Sequence, residues 1–243
     1  RTTRIRPTGG ADGASAASGT RTSKAAGAHR ERLGDLGGHL ATEPGLLPLC
    51  EQALRHFEAI GCTVEPALPD FPLERLWRSW LSLRQFIISG LCGEIVANDK
   101  LRTLVKPELV WEVEQGWRLP ATELWKATVA RTEWTLALQA LFTRFDFLVL
   151  PAAQVFPFDA EQDWPKSIAG RSMDTYHRWM EVVIGPTLAG LPVAAVPAGF
   201  SAEGLPTGLQ IVGPAQQDFA TLQMAHAYEQ ASQYTRRRSP LLG

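Results

Sequence analysis

Attack on a carbonyl needs a nucleophile, a proton shuttle and oxyanion donors gathered in one place. In this 243-residue chain the segment that sets hydroxyls among glycines is Gly9 to Thr20, GGADGASAASGT, with Lys24 just beyond it. A nucleophile loop also needs glycines at fixed places, so that backbone amides can approach the developing oxyanion, and that order is missing here. Lys24 lies in a polar stretch where nothing would depress its pKa, and reads as a surface charge. The five histidines, His29, His39, His56, His177 and His226, form no His-Glu-x-x-His and no other paired spacing. His177, beside Tyr176 and Trp179, reads either as a half-exposed helix residue or as the edge of a substrate pocket. The pairs Glu112 and Glu114, and Glu161 and Asp163, are expected on solvated surfaces rather than in acid/base work. Cys50, Cys62 and Cys92 have no metal spacing and are expected to be buried thiols in a reducing cytoplasm. Eight tryptophans are many for this length. Trp77, Trp80, Trp111, Trp117 and Trp125 read as interior packing or, more sharply, as an aromatic wall for an apolar substrate.

The elements that would position these groups are legible from Leu33 onward. Residues 1–32 contain no Phe, Trp or Tyr and no large aliphatic residue except Ile5. They cannot bury enough apolar area to offset the entropy of ordering, so disorder is expected there. Thr42 is expected to cap a helix running to about Ile60, stopped by Gly61, with a short strand at Cys62 to Val64. Trp77 to Val96 and Leu124 to Phe145 have the periodicity of long helices. Phe147 to Leu150 reads as a buried strand ended by Pro151. Pro157 and Pro165 make a loop around Trp164, and Met173 to Ile184 is expected to be helical. Asp218 is expected to cap a last helix, with Leu222, Met224, Ala225, Tyr228 and Ala231 facing inward. A net charge of −1 argues against nucleic acid as main partner. No apolar run reaches the length of a membrane span. The chain opens on Arg1 rather than Met, which reads as a truncated or processed product.

The most informative stretch is Gly185 to Pro214, GPTLAGLPVAAVPAGFSAEGLPTGLQIVGP. Its apolar runs Val193 to Val196 and Leu209 to Val212 lack polar alternation and suggest strands buried on both faces. Gln210 is the polar intruder, and its amide must find a partner. Here the chain resembles the amidase signature family. The resemblance rests on Gly190 to Pro192, Val196 to Gly199 and Gly204 to Pro214. It continues through Asp218, Leu222, Ala225 and Glu229 to the Arg236 to Pro240 end, and upstream to Phe145 to Pro151 and the GDLGGHL and GCTVE segments.

That resemblance implies an α/β fold, a mixed sheet covered by helices, present as an incomplete C-terminal part. Residues 33–243 are expected to be that part of an amidase domain, and residues 1–32 a disordered or out-of-frame segment. The family's nucleophilic serine, second serine in a cis peptide and lysine lie in a Gly/Ser-rich segment preceding the matched part, so no catalytic residue is assigned here. The complete enzyme would hydrolyse a carboxylic amide to acid and amine through an acyl-serine intermediate, without metal or organic cofactor; this chain alone is expected to be inactive. Substrate contacts are expected from Gln154, Phe156 and Thr187, with Tyr176 and Met180 behind them. Family members often carry threonine where this chain has Ala152 and Ala153, and asparagine where it has Thr187. The expected partner is a small-molecule amide, with no nucleic acid and no membrane, a cytoplasmic location, and a homodimer left open. Two other readings stand beside this one: a non-enzymatic binding remnant, and a subunit of a glutamine-dependent amidotransferase acting on charged transfer RNA.

Overall fold

The computed structural model describes residues 34–237 and the backbone of Thr2–Pro7. Strand β1, Thr2–Pro7, falls within the segment expected to be without order, yet it pairs on both sides. The remainder of that segment, with Gly9 to Thr20, Lys24 and His29, lies outside the described residues.

Helix α1, Leu46–Ala53, follows Gly45 at φ 90° and has no side-chain cap. The expected cap at Thr42 is therefore absent, because the left-handed turn at Gly45 sets the entry instead. Leu54 separates α1 from α2, Arg55–Ala59, so one predicted helix is two. Strand β2, Cys62–Ala67, runs longer than expected. Helix α3, Leu73–Ala97, and a turn of helix α4, Asp99–Arg102, lead to α5, Pro107–Arg118. Asn98 accepts from the Lys100 and Leu101 amides and so caps α4. Helix α6 is Ala121–Phe142 and strand β3 is Phe147–Pro151. A small hairpin of β4, Ser167–Ile168, and β5, Arg171–Ser172, follows the proline-bounded loop.

Met173 to Ile184 is not the helix its periodicity suggests. A 3-10 helix occupies Arg178–Val183, with Met180 outside helical geometry at φ −115°, and only then does α7, Ile184–Ala189, begin. The physical reason is local: the Val182 amide donates to Gln154 Oε1 at 3.0 Å. It is therefore withdrawn from an α-helical ladder. Strands β6, Val193–Phe200, and β7, Pro206–Val212, form a hairpin, and α8, Asp218–Ser232, closes the described fold. Gln217 occupies the cap position of α8 without a side-chain bond, and Asp218 is the first helical residue. Its carboxylate there acts on the helix dipole rather than as the cap. Leu222, expected to face inward, is exposed, while Met224 and Tyr228 are buried.

The main sheet has the order β2-β1-β3-β7-β6. Every ladder among the described strands is antiparallel, where a mixed sheet was expected. For β6 and β7 the short connection dictates this, since parallel neighbours need a long crossover. Side chains alternate across β3: Phe147 and Val149 join the core under α1, α2 and α8, whereas Leu148 and Leu150 join the core under α3, α6 and α7. Strands β3 and β7 are thus buried on both faces. Strand β6 departs from that expectation: it is an outer strand, and its Val193 is 42% exposed. Gln210 finds its partner, donating to the Pro151 carbonyl at 2.8 Å.

Candidate functional site

Three cavities among the described residues are candidates. One lies under Trp134, Val182 and Gly185 against the sheet, but its roughly 30 Å³ holds little more than a water. A second, of about 590 Å³, is an open trough between the Phe142 to Phe147 segment and α8. The third is a groove of about 320 Å³ where α3, α6 and α7 meet. Trp80, Leu83, Ile87, Ile88 and Leu188 make its apolar walls, and Arg84, Arg131 and Thr187 supply its polar groups. Apolar walls with a few convergent polar groups are what a small-molecule site requires.

The groove is positioned by α3 and α7. Trp77 is buried on α3 and stacks on Trp80, their ring centroids 5.5 Å apart, which fixes the indole that enters the groove. On the opposite side, Trp134 of α6 donates to the Gly185 carbonyl at 2.8 Å and holds the start of α7. A side chain at Gly185 would collide with that indole, since a Cβ there would sit 2.9 Å from Trp134 Cζ2. Thr187 is exposed on α7 and donates to the Val183 carbonyl at 2.9 Å.

Beneath the groove lies a buried polar cluster. Arg84 Nε is 2.6 Å from Glu112 Oε1 in an ion pair off the hydrogen-bonding line. It also donates to His177 Nε2 at 3.0 Å. Glu112 and His177 are 3% and 2% exposed. Both depart from expectation: Glu112 is not solvated and His177 is not half-exposed, because Arg84 on another helix compensates them in the interior. Next to this cluster, Glu181 uses both oxygens, one on His39 Nε2 at 2.7 Å and one on Arg178 Nε at 3.1 Å. Arg178 also reaches Glu74 at 2.8 Å and lies over the Trp77 ring. Partial burial works against the Glu74 carboxylate, but Arg178 and Arg78 outweigh it and hold its pKa below the ordinary value. These ties fasten the 3-10 helix before α7 to α3.

The sequence-derived substrate contacts divide. Thr187 faces the groove. Gln154 is 1% exposed and spans two backbone groups, donating to the Ala41 carbonyl at 2.8 Å and accepting from Val182. Phe156 is packed in the core under α1 and α8, and its amide donates to Glu43. Tyr176 and Met180 are half-buried, Tyr176 with its ring edge against His177 and Trp164. Of the five tryptophans of the middle third, Trp77 is interior and Trp80 lines the groove, while Trp117 and Trp125 are mostly exposed. Glu161 and Asp163 are exposed as expected. Cys50 and Cys62 are buried free thiols and Cys92 is only half-buried. Sequence reasoning missed Arg84 and Arg131. Arg84 carries one signal, its place a turn from Trp80, Ile87 and Ile88 on α3, whereas Arg131, a turn from Thr128 and Thr135, carries none.

Among the described residues, no group of three His, Cys, Asp or Glu side chains is placed to hold a metal ion. No helix among them is long and apolar enough to cross a membrane.

The architecture is that of the amidase signature structures. Over 81% of this chain it superposes on 42% of a bacterial aryl acylamidase of that family, with TM-score 0.73 and 22% identity. It also matches 6-aminohexanoate cyclic dimer hydrolase, with TM-score 0.67 and 20% identity over 86% of this chain and 46% of the other. In sequence, the chain is 38% identical over 108 residues to a glutamyl-tRNA(Gln) amidotransferase subunit of Synechococcus sp. (strain CC9605), covering 44% of this chain and 21% of that protein. It is 26% identical over 198 residues to an acylamidase of Rhodococcus erythropolis, covering 79% of this chain and 39% of that one. The amidase family model matches residues 43–222, and the chain belongs to that family. It spans between 21% and 39% of the length of these two relatives.

Proposed function

We propose that this chain supplies the substrate-side part of an amide hydrolase. In the complete enzyme a serine oxygen would attack the amide carbonyl, the amine would leave with a proton, and water would then release the acid from the acyl-serine. The groove between α3, α6 and α7 would hold the apolar portion of the amide, with Thr187 at its polar wall. The observation that carries this reading is the placement of Thr187. A family motif points to this residue, and it lines a groove of ligand size bounded by Trp80, Ile87 and Leu188. By itself the chain binds amide without turning it over. A calorimetric titration with N-phenylbutanamide tests the groove: saturable binding that Thr187→Trp abolishes, with the circular dichroism spectrum kept, is the expected result. Binding indifferent to that substitution would refute the placement. An assay of amide hydrolysis tests inactivity, and turnover that co-purifies with the chain through successive columns would overturn it.

A second reading is favoured by the resemblance to the Synechococcus protein, namely a subunit of a glutamine-dependent transfer RNA amidotransferase. Its mark would be preferential binding of glutamine over N-phenylbutanamide. A non-enzymatic binding remnant would show saturable binding and no turnover in any assembly. The free thiols fit a cytoplasmic location, which forms part of the proposal, as does action on a small amide rather than on nucleic acid or a membrane.

A further inference from the structure

The groove is not electrically neutral. Arg84 is compensated by Glu112, and its guanidinium lies over the Trp80 ring. Arg131 has no such compensation. Its Nε donates to the Leu188 carbonyl at 2.9 Å, a neutral acceptor. Among the described residues no salt bridge involves it, and its side chain is exposed, so its two Nη groups meet solvent. The groove therefore presents one unbalanced positive charge, with two terminal nitrogens available as a fork, against walls of Trp80, Leu83, Ile87 and Ile88.

We propose that this groove takes an amide whose body is apolar and which carries a carboxylate remote from the amide bond, received by the Nη fork of Arg131. A planar guanidinium matches a carboxylate through two parallel hydrogen bonds. The Leu188 carbonyl fixes the Nε side of Arg131 and so turns the opposite edge of the fork outward. Arg84 cannot play the same part on equal terms, because the charge of Glu112 already occupies it. It adds a positive wall whose donors are partly spent. The apolar walls would hold an aryl or alkyl body next to the fork. A monoamide of a dicarboxylic acid combines these features in one molecule. This inference rests on the groove being the amide site proposed above, and goes further by fixing the charge of its ligand.

The test compares two anilides of equal length on the full chain by calorimetry. Succinanilate ends in a carboxylate, whereas N-phenylbutanamide ends in a methyl group. The carboxylate is expected to bind about tenfold more tightly, the low end of a charge-assisted hydrogen bond at a partly exposed site. Raising the salt from about 0.05 to about 0.5 M should shrink that preference, because exposed charges are screened. Arg131→Leu should abolish the preference, weakening succinanilate binding more than N-phenylbutanamide binding. Arg131→Gln retains a donor for the Leu188 carbonyl and serves as the second variant should Arg131→Leu disturb α7. Equal affinities for the two anilides, or a preference unchanged by salt and by both substitutions, would overturn the carboxylate inference and leave the amide groove standing. Failure of both anilides to bind would overturn the two together.

Discussion

Replacing Gln154 with leucine separates two roles this residue could have. Its amide joins the Ala41 carbonyl to the Val182 amide across an interior where the side chain is 1% exposed. Leucine fills nearly the same space but can neither donate nor accept, so one backbone carbonyl and one backbone N–H are left buried without these partners. Each such group costs about 1–3 kcal/mol, and the added apolar burial returns roughly 1 kcal/mol. The expected net loss is therefore about 1–5 kcal/mol, centred near 3. With a urea dependence of about 3 kcal/mol per molar, the unfolding midpoint should fall by roughly 1 M. Urea titrations followed by far-ultraviolet circular dichroism read this directly. Because Gln154 also holds the 3-10 helix ahead of α7, the variant should in addition loosen the groove. A midpoint within about 0.2 M of the parent, with N-phenylbutanamide binding lost, would refute the bracing role. It would return Gln154 to the substrate-contact role its place in the sequence suggested.

Gly116 sits where α5 crosses α3, and a Cβ there would overlap the Gln85 carbonyl oxygen and lie 2.5 Å from Ser89 Cβ. Because one obstacle is backbone, Gly116→Ala should cost about 1–3 kcal/mol, seen as a lowered melting temperature. Burial, helped by Arg55, holds the His56 imidazole below its ordinary 6.5. The unfolded chain therefore takes up this proton first, so the contribution is lost as pH falls below 6.5 and levels off once pH passes the folded-state value. Thermal melts between about pH 7.5 and 5 should show a smaller acid loss in His56→Gln than in the parent. Burial also pushes the Cys50 thiol up to about 12. A thiol reagent at neutral pH should label half-buried Cys92 first and reach Cys50 only on unfolding; early labelling of Cys50 would contradict its place in the core.

Strands β3 and β7 could be read from sequence because a doubly buried strand is mostly apolar whatever its partners, Gln210 of β7 being tolerated through its bond to Pro151. The helices α3 and α6 were legible as helices, but the face of α6 was not. Trp125 and Leu136, expected among its apolar positions with Val129, Ala140 and Phe142, are exposed, and Ala127, Ala130, Trp134, Leu138 and Leu141 are buried instead. Strand β6 has nearly the same composition but lies at the margin, and nothing within Val193 to Val196 reports that. The polar cluster was illegible because its members are brought together only by the fold. Glu112 stands 28 residues from Arg84, and His177 stands 93 away, so neither carries a local mark of burial. The same holds for Gln154 and Phe156. The family motif located the neighbourhood of the groove, but the side chains that enter it are settled by how α3 meets α7. Arg131 went unnoticed for want of any motif, since its significance is the lack of a compensating carboxylate among the described residues.

Strand β6 leaves one rim of the sheet without a neighbouring strand among the described residues. Such a rim invites another extended chain to pair with it. Here the invitation is curtailed. Pro197 lacks an amide hydrogen, and the register with β7 shifts between Pro197 and Gly199. A newcomer could therefore zip along Val193 to Val196 but would lose alignment beyond it. Four residues of ladder are too few to hold a stray strand, yet enough to seat one that is also held elsewhere by apolar side chains. The margin is thus selective: it discourages self-propagating aggregates while leaving room for a strand delivered by a folded neighbour.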